Sequence, residues 1–142
     1  MTGVQNARYF TDRLVREVAR ARRYERRLAL LLFRVPAGEA PGTLGLLGSV
    51  GRRVRSAIRS ADVACHLGDG RFAVILPEVG LQESEHLHGR MRFTLGQRLG
   101  AIELAAGRVE LRPDDSADSL VRRAEEELAA AEQSEPVRSA EA

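Results

Sequence analysis

Two short apolar runs, Val63-Ala64-Cys65-His66-Leu67 and Phe72-Ala73-Val74-Ile75-Leu76, stand on either side of Gly68-Asp69-Gly70. Glycine reaches the backbone conformations that a tight reversal demands, and β-branched and aromatic residues favour strands. The stretch therefore predicts a β-hairpin, closed at its far end by Pro77. A lone hairpin is marginal in water, so the rest of the chain must supply strands to extend the sheet and helices to cover it.

The flanking sequence supplies both. Phe10, Leu14, Val18 and Ala21 recur at helical spacing, which predicts an amphipathic helix over 8–26. Leu28-Ala29-Leu30-Leu31-Leu32-Phe33 follows without polar interruption. Six apolar residues between a charged helix and the Pro/Gly-rich loop 36–42 read as a central strand buried on both faces. Leu47, Val50, Val54 and Ala57/Ile58 mark a second helix, and Leu87, Met91, Leu95 and Leu99 a third over 81–98. Residues 101–111 read as extended, with a break at Gly107. Asp114, Asp115 and Ser116 cap a last helix carrying Leu120, Ala124 and Leu128. The order is helix, then β-α-β-β-α-β, then helix, which is an α+β fold built on a ferredoxin-like sheet with flanking N- and C-terminal helices. One domain over 1–133 is expected, with 134–142 as a polar, flexible tail.

Composition narrows the function classes. With 142 residues the chain holds one ordinary domain. All 22 basic residues are Arg, yet the net charge is only +2, so no global basic field points to DNA. The single cysteine, Cys65, excludes an internal disulfide and fits a reducing compartment. No signal peptide is visible and no apolar run is long enough for a bilayer, so a cytoplasmic protein without membrane contact is expected. His86 and His88, two apart, do not share a helix face and read as exposed polar residues, so no metal site is expected there.

The hairpin His66-Leu67-Gly68-Asp69-Gly70-Arg71-Phe72-Ala73-Val74-Ile75-Leu76-Pro77 resembles the signature hairpin of GGDEF (diguanylate cyclase) domains. Thr2-Gly3-Val4-Gln5-Asn6-Ala7-Arg8-Tyr9-Phe10 is similar to that family's entry to its first helix, and residues 120–131 to its closing helix. Three degenerate motifs in register are specific together. The resemblance covers about 1–133 and implies a nucleotidyl-cyclase-type βαββαβ sheet.

The resemblance also implies where chemistry would sit. Joining two GTP molecules needs a divalent metal held by carboxylates, one at the end of the first buried strand and one in the hairpin turn. Here those positions align with Arg34 and with Gly70, in a turn reading Gly68-Asp69-Gly70-Arg71. Asp69 is shifted by one residue and reads as a turn former. The segment that would carry guanine-binding residues is shorter, with Leu44 near one of them, and the phosphate-binding Lys aligns with Glu132. On these substitutions the chain is expected not to be an enzyme, with its catalytic and metal sites lost and no cofactor.

A second feature of the family is an inhibitory product site marked by Arg-x-x-Asp five residues before the turn. Arg59-Ser60-Ala61-Asp62 stands in that register, and Arg90 falls where the family places a further Arg. Arginine offers phosphate a bidentate fork, and a carboxylate can accept from guanine N1 and N2. The resemblance thus implies a cyclic di-GMP receptor of bacterial type using Arg59, Asp62 and Arg90, with a ligand-bridged homodimer and a downstream protein partner. A ligand-independent docking domain is the alternative.

Overall fold

A computed structural model describes residues 5–35, 43–99 and 105–141. Its elements run in the order β1 (Gln5–Asn6), α1 (Ala7–Arg23), β2 (Leu28–Arg34), α2 (Thr43–Ala57), β3 (Val63–Gly68), β4 (Arg71–Pro77), α3 (Leu81–Leu99), β5 (Ala106–Glu110) and α4 (Ala117–Glu141). The five strands form one sheet in the order β1-β3-β4-β2-β5. β1 runs parallel to β3, and the other pairs are antiparallel. This is the α+β, nucleotidyl-cyclase-type arrangement expected.

Alternation along each strand sends its side chains to two separate cores. Leu31, Phe33, Phe72 and Val74 pack under α2 and α3 with Val50, Val54, Leu87, Met91 and Leu95. Leu30, Leu32, Ala73 and Ile75 pack under α1 and α4 with Leu14, Val18, Leu120 and Ala124. β2 lies between β4 and β5 and is covered on both faces, which is why Leu28 to Phe33 can be apolar without interruption. At the hairpin end the Phe33 and Phe72 rings stack 5.3 Å apart, and His66 stacks on Phe72 at 4.7 Å.

Several boundaries differ from the sequence expectation. The first helix stops at Arg23 instead of running to residue 26, because Glu25 takes a left-handed conformation (φ 53°) and turns the chain into β2. Asn6 caps α1 through its side chain, which accepts from the Tyr9 N–H at 2.9 Å. The two-residue strand β1 was not anticipated. α4 continues through the polar segment from Ser134 to Glu141 that composition reads as a tail. Its cap is Ser116: Ser119 N–H donates to Ser116 Oγ, and Ser116 N–H donates to Ser119 Oγ. The Pro/Gly loop 36–42 and most of the extended stretch before Ala105 lie outside the described residues. No helix among the described residues is long and apolar enough to cross a membrane.

Candidate functional site

The hairpin turn is built from three successive residues with positive φ, namely Gly68 (102°), Asp69 (55°) and Gly70 (74°). Two glycines carry two of these conformations without strain, and Asp is among the few other residues that tolerate the left-handed region. The turn is tied to the end of β2, where Val35 N–H donates to Gly70 C=O at 2.8 Å. Arg34 and Arg71 are direct cross-strand partners. The structure therefore brings Arg34, Gly68, Asp69, Gly70 and Arg71 to one corner. Like charges opposite one another repel. Here α4 answers both: Arg34 Nε lies 3.5 Å from a Glu132 carboxylate oxygen, and Arg71 Nη1 donates to Glu125 at 3.3 Å. Asp69 stands exposed in the turn.

A second site opens at the other end of β3, where α1, the end of α2 and the 59–62 turn meet. It is a groove of about 500 Å³ whose walls include Tyr9, Arg13, Arg55, Arg59 and Asp62. Arg59 and Asp62 are locked together. The Asp62 side chain is only 2% exposed and accepts from Arg59 Nη2 at 2.6 Å, from Arg59 Nε at 3.1 Å and from the Arg59 backbone N–H at 2.9 Å. Arg59 Nη2 also donates to Pro77 C=O at 2.9 Å, so the guanidinium bridges the helix end to the end of β4. The Arg59 guanidinium is held above its ordinary pKa chiefly by the hydrogen bond to Asp62. Its Nη1 amino group makes no hydrogen bond among the described residues, and the side chain is 49% exposed. Arg90 does not line this groove. It is exposed on α3, one turn before Thr94, whose carbonyl accepts from Arg53 of α2 at 3.4 Å.

The groove also holds side chains that the sequence reading did not single out. Arg13 donates through Nε to Glu17 at 2.9 Å and through Nη1 to the Tyr9 hydroxyl at 3.0 Å. Its guanidinium too is raised, first by the Glu17 hydrogen bond. Tyr9, Arg13 and Glu17 follow one another at i,i+4, which was the available signal. Glu17 also falls seven residues after Phe10 and three after Leu14, on the apolar stripe of α1, a signal of its burial that the sequence reading did not use.

Sequence and fold comparisons converge on one family. The diguanylate cyclase GGDEF domain family matches residues 42–137. No curated protein matches the sequence. Among solved structures, the diguanylate cyclase SiaD of Pseudomonas aeruginosa, in complex with its activator SiaC, superposes with a TM-score of 0.84 at 24% identity. That match covers 94% of this chain and 56% of SiaD, so this chain spans little more than half of that protein's length. The GGDEF domain of DgcB from Caulobacter crescentus, in complex with c-di-GMP, superposes with a TM-score of 0.85 at 20% identity, covering 92% and 84% of the two chains. The active GGEEF domain of a diguanylate cyclase from Vibrio cholerae gives 0.82 at 18% identity, covering 92% of both.

These matches correct the expectation that the chain is not an enzyme. The family that matches is that of the diguanylate cyclases, and the fold of an active GGEEF domain is retained across 92% of the chain. The inference from Arg34 and the 68–71 turn treated each substitution in isolation. In the folded corner those arginines are paired with Glu132 and Glu125, so they are not bare cations repelling whatever approaches.

Proposed function

The chain belongs to the GGDEF family of diguanylate cyclase domains, and from that premise we propose that it binds cyclic di-GMP through Arg59, held in place by Asp62, with Arg90, on α3 outside the groove, as a second contact. The observation that carries this reading is the Arg59–Asp62 pair in the wall of the groove. A buried carboxylate fixes the guanidinium, and one edge of it stays open to a ligand. Arginine's planar fork suits phosphate and stacks on a base, so an orientation fixed before binding lowers the entropy lost on binding. The occupied Asp62 carboxylate supports a positioning role rather than direct acceptance from guanine. That DgcB is solved with c-di-GMP supports the choice of ligand, and the complex of SiaD with its activator SiaC supports a protein partner. We place this function in the bacterial cytoplasm, with the ligand bridging two copies.

Calorimetry with purified protein and cyclic di-GMP tests the reading. A dissociation constant at or below about 100 μM is expected, and no binding in that range would refute it. Arg59→Ala should weaken binding about tenfold or more, and Arg59→Lys should not restore it, because an ammonium lacks the fork. Light scattering with and without ligand reads the bridged dimer.

A second reading, a docking domain that needs no ligand, is favoured by Phe93, which is 70% exposed on α3. Partner capture that ignores both added cyclic di-GMP and Arg59→Ala, and is lost in Phe93→Ala, would select it.

A further inference from the structure

The groove has two arginine walls, and both are built in the same way. On one side, Arg59 is held by Asp62, whose side chain is 2% exposed; on the other, Arg13 is held by Glu17, whose side chain is 8% exposed. Burying a carboxylate is unfavourable unless it is paired and hydrogen-bonded, and an i,i+4 pair on a helix surface adds only a few tenths of a kcal/mol. Each carboxylate does more than neutralise its arginine, because it takes the Nε side of the guanidinium and fixes the plane. Among the described residues that leaves Nη1 of Arg59 and Nη2 of Arg13 without a hydrogen bond, and both side chains line the same cavity. Tyr9 adds a flat ring whose hydroxyl accepts from Arg13.

We infer that Arg13 and Arg59 form a two-sided clamp for the phosphate groups of a nucleotide ligand, with Tyr9 steadying the Arg13 half. The inference rests on the reading above only for the ligand's identity; the clamp itself is specified by phosphate chemistry. Because each arginine is already paired with an acid, recognition comes from aimed N–H donors more than from net charge. Binding should therefore fall only shallowly with salt.

The test is calorimetry with two probes, cyclic di-GMP and inorganic pyrophosphate, on the whole chain. The variants are Arg13→Lys and the double variant Arg13→Gln/Glu17→Gln, which leaves no buried charge unpaired; a thermal melt confirms that each is folded. The clamp predicts that both variants lose about tenfold or more in affinity, as Arg59→Ala does. If cyclic di-GMP binds and responds to Arg59→Ala while both Arg13 variants bind like the parent, the clamp is overturned and the ligand reading stands. If cyclic di-GMP does not bind but pyrophosphate does, and loses affinity in the double variant, the ligand reading fails and the clamp stands. Binding of neither probe overturns both.

Discussion

Asp115 is the point at which the closing helix is fastened to the sheet, and replacing it with Asn should loosen that fastening measurably. Its side chain is 5% exposed. The carboxylate accepts from the Arg123 guanidinium, from Arg112 N–H at 2.9 Å and from Ser119 Oγ at 2.7 Å. Arg123 in turn donates to the Glu110 carbonyl at 2.8 Å, tying α4 to the end of β5. Burial pushes this carboxyl's pKa up, but the three donors outweigh it, Arg123 foremost, and hold it at about 2 instead of the ordinary 3.8. At 1.36 kcal/mol per pKa unit that depression is worth roughly 2 kcal/mol of stability. A carboxyl depressed in the folded state contributes fully above its unfolded value, near pH 4. It loses that contribution as pH falls through about 2. Asp115→Asn should therefore destabilise the protein by about 2 kcal/mol at pH 7, lowering its melting temperature by roughly 5–10 °C. Urea titrations at pH 7, 4.5, 3 and 2 provide the assay. Between pH 4.5 and 2 the parent should lose about 2 kcal/mol more than the variant, so that the two stabilities converge in acid. Parallel profiles, or a variant within about 0.5 kcal/mol of the parent at pH 7, would show that the network does not carry this stability.

Two further outcomes follow from particular contacts. A Cβ at Gly107 would meet the Ala124 carbonyl oxygen at 2.1 Å and the Leu128 nitrogen at 2.6 Å, both of them α4 backbone, whereas the three atoms nearest one at Gly80 all belong to the Arg27 guanidinium. Gly107→Ala should cost about 2–3 kcal/mol in denaturant unfolding, and Gly80→Ala, where an exposed side chain can swing aside at the expense of its Glu110 pair, under about 1 kcal/mol; equal costs would contradict the tight β5–α4 approach. The Cys65 thiol is fully buried, and desolvation pushes its pKa up to about 12 despite the opposing field of Arg13. It should resist a disulfide-exchange reagent at pH 8 in the native protein and react at once in urea; rapid native labelling would refute its burial.

What the sequence made legible was whatever a single element decides by itself. Phe10, Leu14, Val18 and Ala21 face the core because helical period alone places them on one stripe. The run from Leu28 to Phe33 could be read as a central strand because a sequence apolar on both faces has no other stable position. The hairpin was readable because Gly68 and Gly70 supply the positive φ values that its turn uses. Elements that depend on a distant partner were not readable. Gln5 and Asn6 form a strand only because Cys65 and His66 lie alongside. Arg26 looked like more helix, yet it lies beyond the helix end and its guanidinium pairs with Glu78, 52 residues away.

The candidate site divides along the same line. Arg-x-x-Asp was visible as a pattern, since its residues are three apart, and so was the register of Arg90. The inward turn of the Asp62 carboxylate was not visible, because it depends on the end of β4 arriving beside Arg59 with the Pro77 carbonyl. The opposite wall, Tyr9 and Arg13, lies some fifty residues earlier in the chain and meets Arg59 only once β3 has paired with β1 and drawn α1 against it. The same logic explains why Arg34 and Arg71 misled. Read singly, Arg34 is a cation where a metal ligand was expected, and Arg71 a cation next to the other such position, Gly70. Their electrostatic effect is set by Glu132 and Glu125 on a helix that sequence reading could place in order but not in contact. A charge's effect on a site depends on its partners in the fold as much as on its own sign, and at both sites of this domain those partners come from other elements or from a buried face.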